Sequence, residues 1–362
     1  MADDFKYHID HHSALITPAE LVEARTARNR GRIEDAELHA VEDRLIRDAL
    51  REQRRLGLAA VGDGQFRRRN SLAPLYDRVD GFGAEAAARG PVAELLGQRL
   101  APEYRPLIGS PAARGRLVAE EAAFVIGALP RPVLVSLPAP GFVLGVTGPA
   151  DGSVPPETRD ALAGILRAEI EALAADGVAY VQLHDPLAGI LLTVAGRERA
   201  KSLGLDPDAL LERALEADAK VLDGLAAPPD FRFGLDLATA GSPHLAQGYD
   251  KAAVSAFLAG RGFGRLHVEY PEQAARGFPI DLLAPGTVVS LGVVDVSTPD
   301  AEDVDELVGR IDEAAALVDI DDIAISTNGG FTAAAAALTE SQQHAKLQLV
   351  EMTARYFWGN EL

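Results

Sequence analysis

Side chains that move protons or hold cations recur in this chain at one kind of place, the end of an apolar run just before a turn. His8, Asp10, His11, His12 and Ser13 close the first run, and Asp63, Gln65, Arg67, Arg68 and Arg69 follow the second. Gln182, His184 and Asp185 end the fourth and Asp236 the fifth. Glu269 ends the sixth, Asp295 the seventh, and Ser326, Thr327 and Asn328 the eighth. Buried carboxylates and imidazoles are rare unless paired or used, so the set points to an active site rather than to core packing. Histidine is the side chain best suited to proton transfer near neutrality, and an adjacent carboxylate orients it. His12, His184, Asp236 and Glu269 are therefore the candidate catalytic groups. Arg67 and Arg68, with Gln65, suit bidentate recognition of an anionic group. Ser13, Asp63, Gln182, Asp185 and Asn328 complete the candidate substrate-binding set. His8, Asp10 and His12 stand at i, i+2 and i+4, one face of a regular strand, where three such groups could hold Zn, Fe or Mn. A polar strand face packed by the amino-terminal segment is the preferred reading, and no metal is expected.

The runs that position these groups are FKYHIDH (5–11), LGLAAVGD (56–63), PVLVSLP (132–138), GVAYVQLHD (177–185), RFGLDLA (232–238), GRLHVEY (264–270), TVVSLGVVDV (287–296) and DDIAIST (321–327). Most are nearly continuous apolar segments, as in parallel strands covered by helices. Thr17-Pro18-Ala19-Glu20, Asp206-Pro207 and Thr298-Pro299 read as helix starts, and helices are predicted over 18–55, 157–175, 207–224, 301–317 and 340–356. The alternation predicts an α/β fold, a (β/α)8 TIM barrel, in a single domain over 1–362. The detour 64–131 between the second and third strands carries YRPLIGSPAARGRL, expected as an inserted hairpin or lid. A dinucleotide-binding fold would place Gly-x-Gly-x-x-Gly after the first strand, where the residues are HHSALITP.

Composition narrows the function classes. The 362 residues are 48% hydrophobic and 25% charged, with a formal net charge of −19. That balance repels phosphate backbones and anionic lipid, so the expected partner is a small-molecule substrate, with no nucleic acid and no membrane; assembly as a homodimer is left open. The absence of cysteine excludes thiolate ligands, thiol nucleophiles and disulfides. With neither a secretory signal nor an 18-residue apolar run, a cytoplasmic location is expected.

The order and wording of the strand ends resemble the catalytic barrel of cobalamin-independent methionine synthase and its shorter, single-barrel methyltransferase-like relatives, from about residue 5 to the end. The resemblance is carried by LITPAELVEAR, EDRLIRDALREQRRLGLAAVGDGQFRR, SLPAPG, YVQLHDP and LGVVDVSTPDAEDVDELVGRIDEA. It implies a zinc ion held by a His-x-Cys after the fifth strand, a Glu after the sixth and a Cys after the eighth, activating a substrate thiol. Here those places read Asp236-Leu237-Ala238, Glu269 and Gly329. Zinc is accordingly not expected. The family's Asp-Glu-Pro, used around its folate, has become His184-Asp185-Pro186, so a reduced folate is left as an open possibility. Its Gly-Ser loop is His12-Ser13, and its Asp-Gly-Glu is Asp63-Gly64-Gln65.

A rim that lost a metal and gained two histidines and an aspartate reads as re-tooled for acid–base work. The leading expectation is a zinc-independent transferase moving a methyl or alkyl group to a small polar substrate. A cofactor-independent lyase or decarboxylase acting on a carboxylated substrate, or a non-catalytic ligand-binding relic, are the alternatives.

Overall fold

The computed structural model describes residues 8–86, 90–149, 154–241, 243–259, 263–333 and 337–359. A short antiparallel ribbon pairs β1 (Val79–Phe82) with β2 (Leu107–Ala113). Six further strands lie parallel in chain order: β3 (Leu134–Pro138), β4 (Tyr180–His184), β5 (Arg232–Asp236), β6 (Arg265–Glu269), β7 (Val288–Val294) and β8 (Ile323–Thr327). These match the last six predicted runs, trimmed at their ends. The expected hairpin supplies β2, and its partner β1 lies upstream in RVDGF, too short and polar to read as a strand.

The first two predicted strands are reduced to single bridges. Residues 5–7 lie outside the described residues. Ile9 bridges Ile325 of β8 in parallel, and Val61 bridges Val133, just before β3. Side chains explain why no longer ladder forms. The His11 amide donates to Asp10 Oδ1 and the Ser13 amide to His11 Nδ1, so the backbone there is satisfied locally. Ser13 also adopts φ 60°, which ends an extended run.

Helices connect the parallel strands. Pro156–Asp176 buries Leu162, Leu166, Ile170 and Leu173 between β3 and β4. Pro207–Leu222 starts as Asp206-Pro207 predicts, the Asp206 carboxylate accepting from the amides of Asp208 and Ala209. The single helix expected over 18–55 is two, Ala19–Asn29 and Asp35–Arg55, because the chain turns at Gly31 with φ 66°. The helix expected to begin near Thr298-Pro299 begins at Val304, capped by Asp303. No helix among the described residues is long and apolar enough to cross a membrane.

Strand periodicity divides the parallel sheet into two chemically different faces. Val181, Leu183, Phe233, Leu235, Leu266, Val268, Val289 and Leu291 point to the helices and join the main core. Tyr180, Gln182 and His184, with Asp236, Arg265, His267 and Glu269, occupy the alternate positions and share the other face. A small apolar cluster joins Tyr180 to Ala60 and Leu134, separate from the main core among the described residues. The rest of that face is a buried polar network. Asp10 receives Arg265 Nε at 2.8 Å, a second Arg265 nitrogen at 2.5 Å and His267 Nε2 at 3.1 Å. Gln182 Nε2 reaches the His11 carbonyl at 2.9 Å. Burial alone would raise the Asp10 pKa, but Arg265 and His267 outweigh it and hold the carboxyl well below its usual range.

An ion pair this deep is costly to break on one side. Asp10→Asn should destabilise the fold by about 3–5 kcal/mol, because the Arg265 cation is left buried without its partner. Urea unfolding provides the measurement, with Asp10→Asn/Arg265→Met expected to recover part of the loss.

Candidate active site

The centre of the polar face is one carboxylate between two imidazoles. Asp236 Oδ2, at the end of β5, accepts from His12 Nδ1 at 2.8 Å and from His184 Nδ1 at 3.1 Å, while Oδ1 accepts the Ala238 amide at 2.9 Å. The register of β4 with β5 sets His184 directly beside Asp236. Burial would raise the Asp236 pKa, yet the charges of His12 and His184 keep it well below the carboxylate range.

The two histidines differ in what remains free. His12 Nε2 is bonded to the Thr327 carbonyl at 2.9 Å, so both of its ring nitrogens face acceptors and the imidazolium form fits. Burial lowers its pKa, but the Asp236 charge and hydrogen bond, with the Thr327 carbonyl, raise it to about 9. His184 is partly exposed, and among the described residues no protein group bonds its Nε2. It therefore presents an oriented, open ring nitrogen, whereas His12 is locked. His11 is different again: Nε2 bonds the Ala60 carbonyl and Nδ1 accepts the Ser13 amide. Burial pushes its pKa down, against the Ala60 contact.

His184, His12 and Asp236 open on a cavity of about 290 Å³, whose walls include Gln65, Arg69, Asn70, Gln98, Arg99 and Ser136. Arg69 is held by Glu103 and Asp77, and Arg99 donates to the Ala240 carbonyl at 2.7 Å. Arg99 and Gln98 come from the helix Pro91–Leu100, inside the long detour.

Of the expected substrate-binding residues, only Gln65 lines this cavity. Arg67 turns outward to Asp43, and Arg68 is buried against Glu121 and the Ser136 carbonyl. Gln182 is part of the buried network. Asp63 accepts the Gln65 amide and fixes its φ of 60°. Asp185 accepts the Ala188 amide as a helix cap and turns toward Asp218, burial pushing its pKa up. Ser13 packs over Gly62. The proposed His8/Asp10/His12 face does not form: His8 stacks on Trp358 with ring centroids 4.2 Å apart, while Asp10 and His12 pair with Arg265 and Asp236.

Glu269 and Asn328 face a second cavity, of about 520 Å³, with Glu272, Asp295, Asp300 and Glu302. Thr239 donates to Glu269 through its amide at 2.6 Å and its hydroxyl at 2.5 Å, and the Gly241 amide adds a contact at 3.1 Å. Burial nevertheless raises the Glu269 pKa to about 7, against these bonds. Asn328 Nδ2 donates to Asp295 at 2.8 Å. The turn 238–241 forms the wall between the cavities, with Ala240 at φ 56°.

Arg99, Ser136, Asn70 and His267 were not evident as site residues in the sequence. His267 carried a usable signal, since it lies two residues before Glu269 and so shares its face.

No protein-family model matches the chain. It is 25% identical over 369 residues to the uncharacterized protein YxjH of Bacillus subtilis (strain 168), covering 97% of this chain and 95% of that one. A protein of Listeria monocytogenes, described as a vitamin-B12-independent methionine synthase, superposes with a TM-score of 0.73 at 20% identity over 98% of both chains. A B12-independent methionine synthase from Shewanella sp. W3-18-1, in complex with selenomethionine, does so at 0.69 with 19% identity over 91% of both. The chain has the fold of the B12-independent methionine synthases. Within that fold, the positions of the expected zinc ligands offer Asp236, Glu269, Ala238 and Gly329. Glu269 is already engaged by Thr239 and Gly241, and a Cβ at Gly329 would lie 2.6 Å from the Ala240 nitrogen. These residues do not fit a tetrahedral zinc with sulfur ligands.

The His12–Asp236 pair predicts a pH dependence. A histidine whose folded pKa stands above its unfolded value of 6.5 stabilises fully below 6.5, and the contribution is lost as pH rises through about 9. The stability gap between the native protein and His12→Gln should therefore shrink over that window, by up to about 3 kcal/mol. Denaturant melts at pH 6 and pH 9.5 measure it, and a constant gap would contradict the ion pair.

Proposed function

We propose that the chain closes as a single-domain (β/α)8 barrel and transfers a methyl or alkyl group to a small polar substrate, without the zinc of the methionine synthases. The bridges at Ile9 and Val61, which extend the parallel sheet at both edges, support the closure. The ribbon of β1 and β2, with helix Pro91–Leu100, acts as the inserted lid. Transfer is supported by the fold shared with the Listeria and Shewanella proteins, which are named for that chemistry.

The observation that carries the reading is His184 Nε2, open on the cavity while Asp236 holds Nδ1. In this scheme the acceptor loses its proton to His184 Nε2, and its freed electron pair attacks the methyl carbon. The donor leaves with the electrons of the broken bond. Asp236 keeps the imidazole oriented, and His12, locked as a cation, supports Asp236 rather than reacting. Arg99, which lines the cavity, favours a substrate carrying a carboxylate or another anion, whereas Arg69 is taken up by Glu103 and Asp77. Glu269, expected as a catalytic group, is assigned to the turn that separates the cavities.

His184→Gln should lower the transfer rate roughly 10²–10⁴-fold, the usual worth of a positioned proton acceptor, with the fold intact. Mass spectrometry of methylated product, from a panel of methyl donors and small anionic acceptors, provides the assay. Equal rates in both proteins would remove His184 from the mechanism. Production of a cleaved or decarboxylated substrate instead would favour the lyase reading.

With His184-Asp185 where the family carries two acids, methyltetrahydrofolate should bind weakly or not at all. Calorimetry showing low-micromolar affinity would identify folate as the donor.

A further inference from the structure

Beneath the open nitrogen of His184 lies an arrangement that the transfer scheme leaves unused. One ring nitrogen each of His12 and His267 and one oxygen of Asp236 lie within 4.8 Å of one another, all three residues being buried. The rings of His12 and His267 meet edge to face with centroids 5.3 Å apart.

Each of the three is oriented from behind in the manner of a metal ligand. His12 Nε2 is bonded to the Thr327 carbonyl, leaving Nδ1 toward Asp236. His267 Nε2 lies 3.1 Å from Asp10 Oδ2 and 3.2 Å from Gln182 Nε2, so that nitrogen is taken up by the buried network and Nδ1 is the one left over. Tyr180 Oη stands at 2.5 Å from the same nitrogen. Asp236 Oδ1 is fixed by the Ala238 amide, leaving Oδ2 toward the imidazoles. Ligating histidines characteristically give their second nitrogen to a carbonyl or carboxylate, which sets tautomer and ring orientation.

The decisive observation is His267 Nδ1. It is fully buried and has no hydrogen-bond partner among the described residues. A polar atom left unpaired in the interior forfeits the hydrogen bonds it made to water, so it calls for an occupant.

We propose that His12 Nδ1, Asp236 Oδ2 and His267 Nδ1 hold a divalent first-row transition-metal ion on the floor of the His184 cavity. Two imidazoles and one carboxylate without sulfur suit zinc, iron(II), cobalt(II) or manganese(II), and three protein ligands leave positions for water or substrate. Such ions bind at about 2.0–2.2 Å, which sets tetrahedral ligand atoms roughly 3.4 Å apart, so His12 Nδ1 and Asp236 Oδ2, now at 2.8 Å, part slightly on loading while His267 adjusts toward them. The ion replaces the proton between His12 Nδ1 and Asp236, and that proton leaves to solvent. Loading also takes up the Asp236 oxygen that orients His184, so the metal-bound and proton-relay forms compete for one atom. Only Asp236 is shared with the positions of the methionine-synthase zinc. The site goes beyond the proposed transfer reaction and stands or falls separately from it, because its test reads binding and not turnover.

The test uses tag-free full-length protein stripped by a chelator and titrated with cobalt(II) by absorption and with zinc(II) by calorimetry. One ion per chain at sub-micromolar affinity is expected. His267→Asn should weaken binding at least 100-fold, and Glu269→Gln should leave it within about threefold. Circular dichroism checks that both variants are folded. Should His267→Asn fail to fold, X-ray absorption on the zinc-loaded native protein decides, two imidazoles in the first shell supporting the site. No stoichiometric binding, a shell with fewer than two imidazoles, or loss of binding in Glu269→Gln but not in His267→Asn would each overturn it.

Discussion

A carboxylate withdrawn almost completely from water must find charge or donors, and Asp236 organises the molecule around that need. It finds His12, His184 and the Ala238 amide. The first contact ties residues 8–13, which have almost no strand ladder of their own, to the middle of the sheet. The second aims an imidazole at a cavity. The third begins the turn that walls that cavity off. Removing the Asp236 charge would therefore loosen an edge of the fold and an acid–base group together.

A second buried acid, Asp10, has the corresponding role a layer away, where the Arg265 cation neutralises it and His267 lies within hydrogen-bond reach. Together the two carboxylates explain how one face of the sheet can be so polar. Each charge is matched at close range, and the apolar face opposite supplies the burial that stabilises the fold. The cavities above this layer differ in character. The one at His184 is bordered by arginines and amides, and at the one at Glu269 carboxylates outnumber the arginines Arg276 and Arg310.

Much of this was legible in the sequence, for identifiable reasons. Six strands were readable because β-branched and leucine runs end in polar groups, and Asp236 and His184 were placed as neighbours by strand order alone. The first two expected strands shrink to single bridges, because Asp10 and His11 satisfy backbone amides in the first and Gln53 takes both backbone groups of Gly62 in the second. Arg67 and Arg68 looked like substrate ligands, yet acids on distant helices, Asp43 and Glu121, claim them. Arg99 does line the cavity, but it lies inside a detour whose path no local pattern predicts. Sequence spacing reports which residues share a strand face. It does not report which ion pairs form across the fold.

The close approach of Gly329 to Ala240 limits what can be built at this end of the sheet. A side chain at 329 would meet the backbone of Ala240 within 2.6–2.8 Å, and Ala240 itself sits at φ 56°. Placing a cysteine at 329 would thus require the neighbouring turn to rebuild first, while a cysteine at 238 alone would gain no partner. A designer who wants sulfur at this end of the sheet must therefore redraw residues 238–241 as a unit, whereas the polar centre around Asp236 is open to change one side chain at a time.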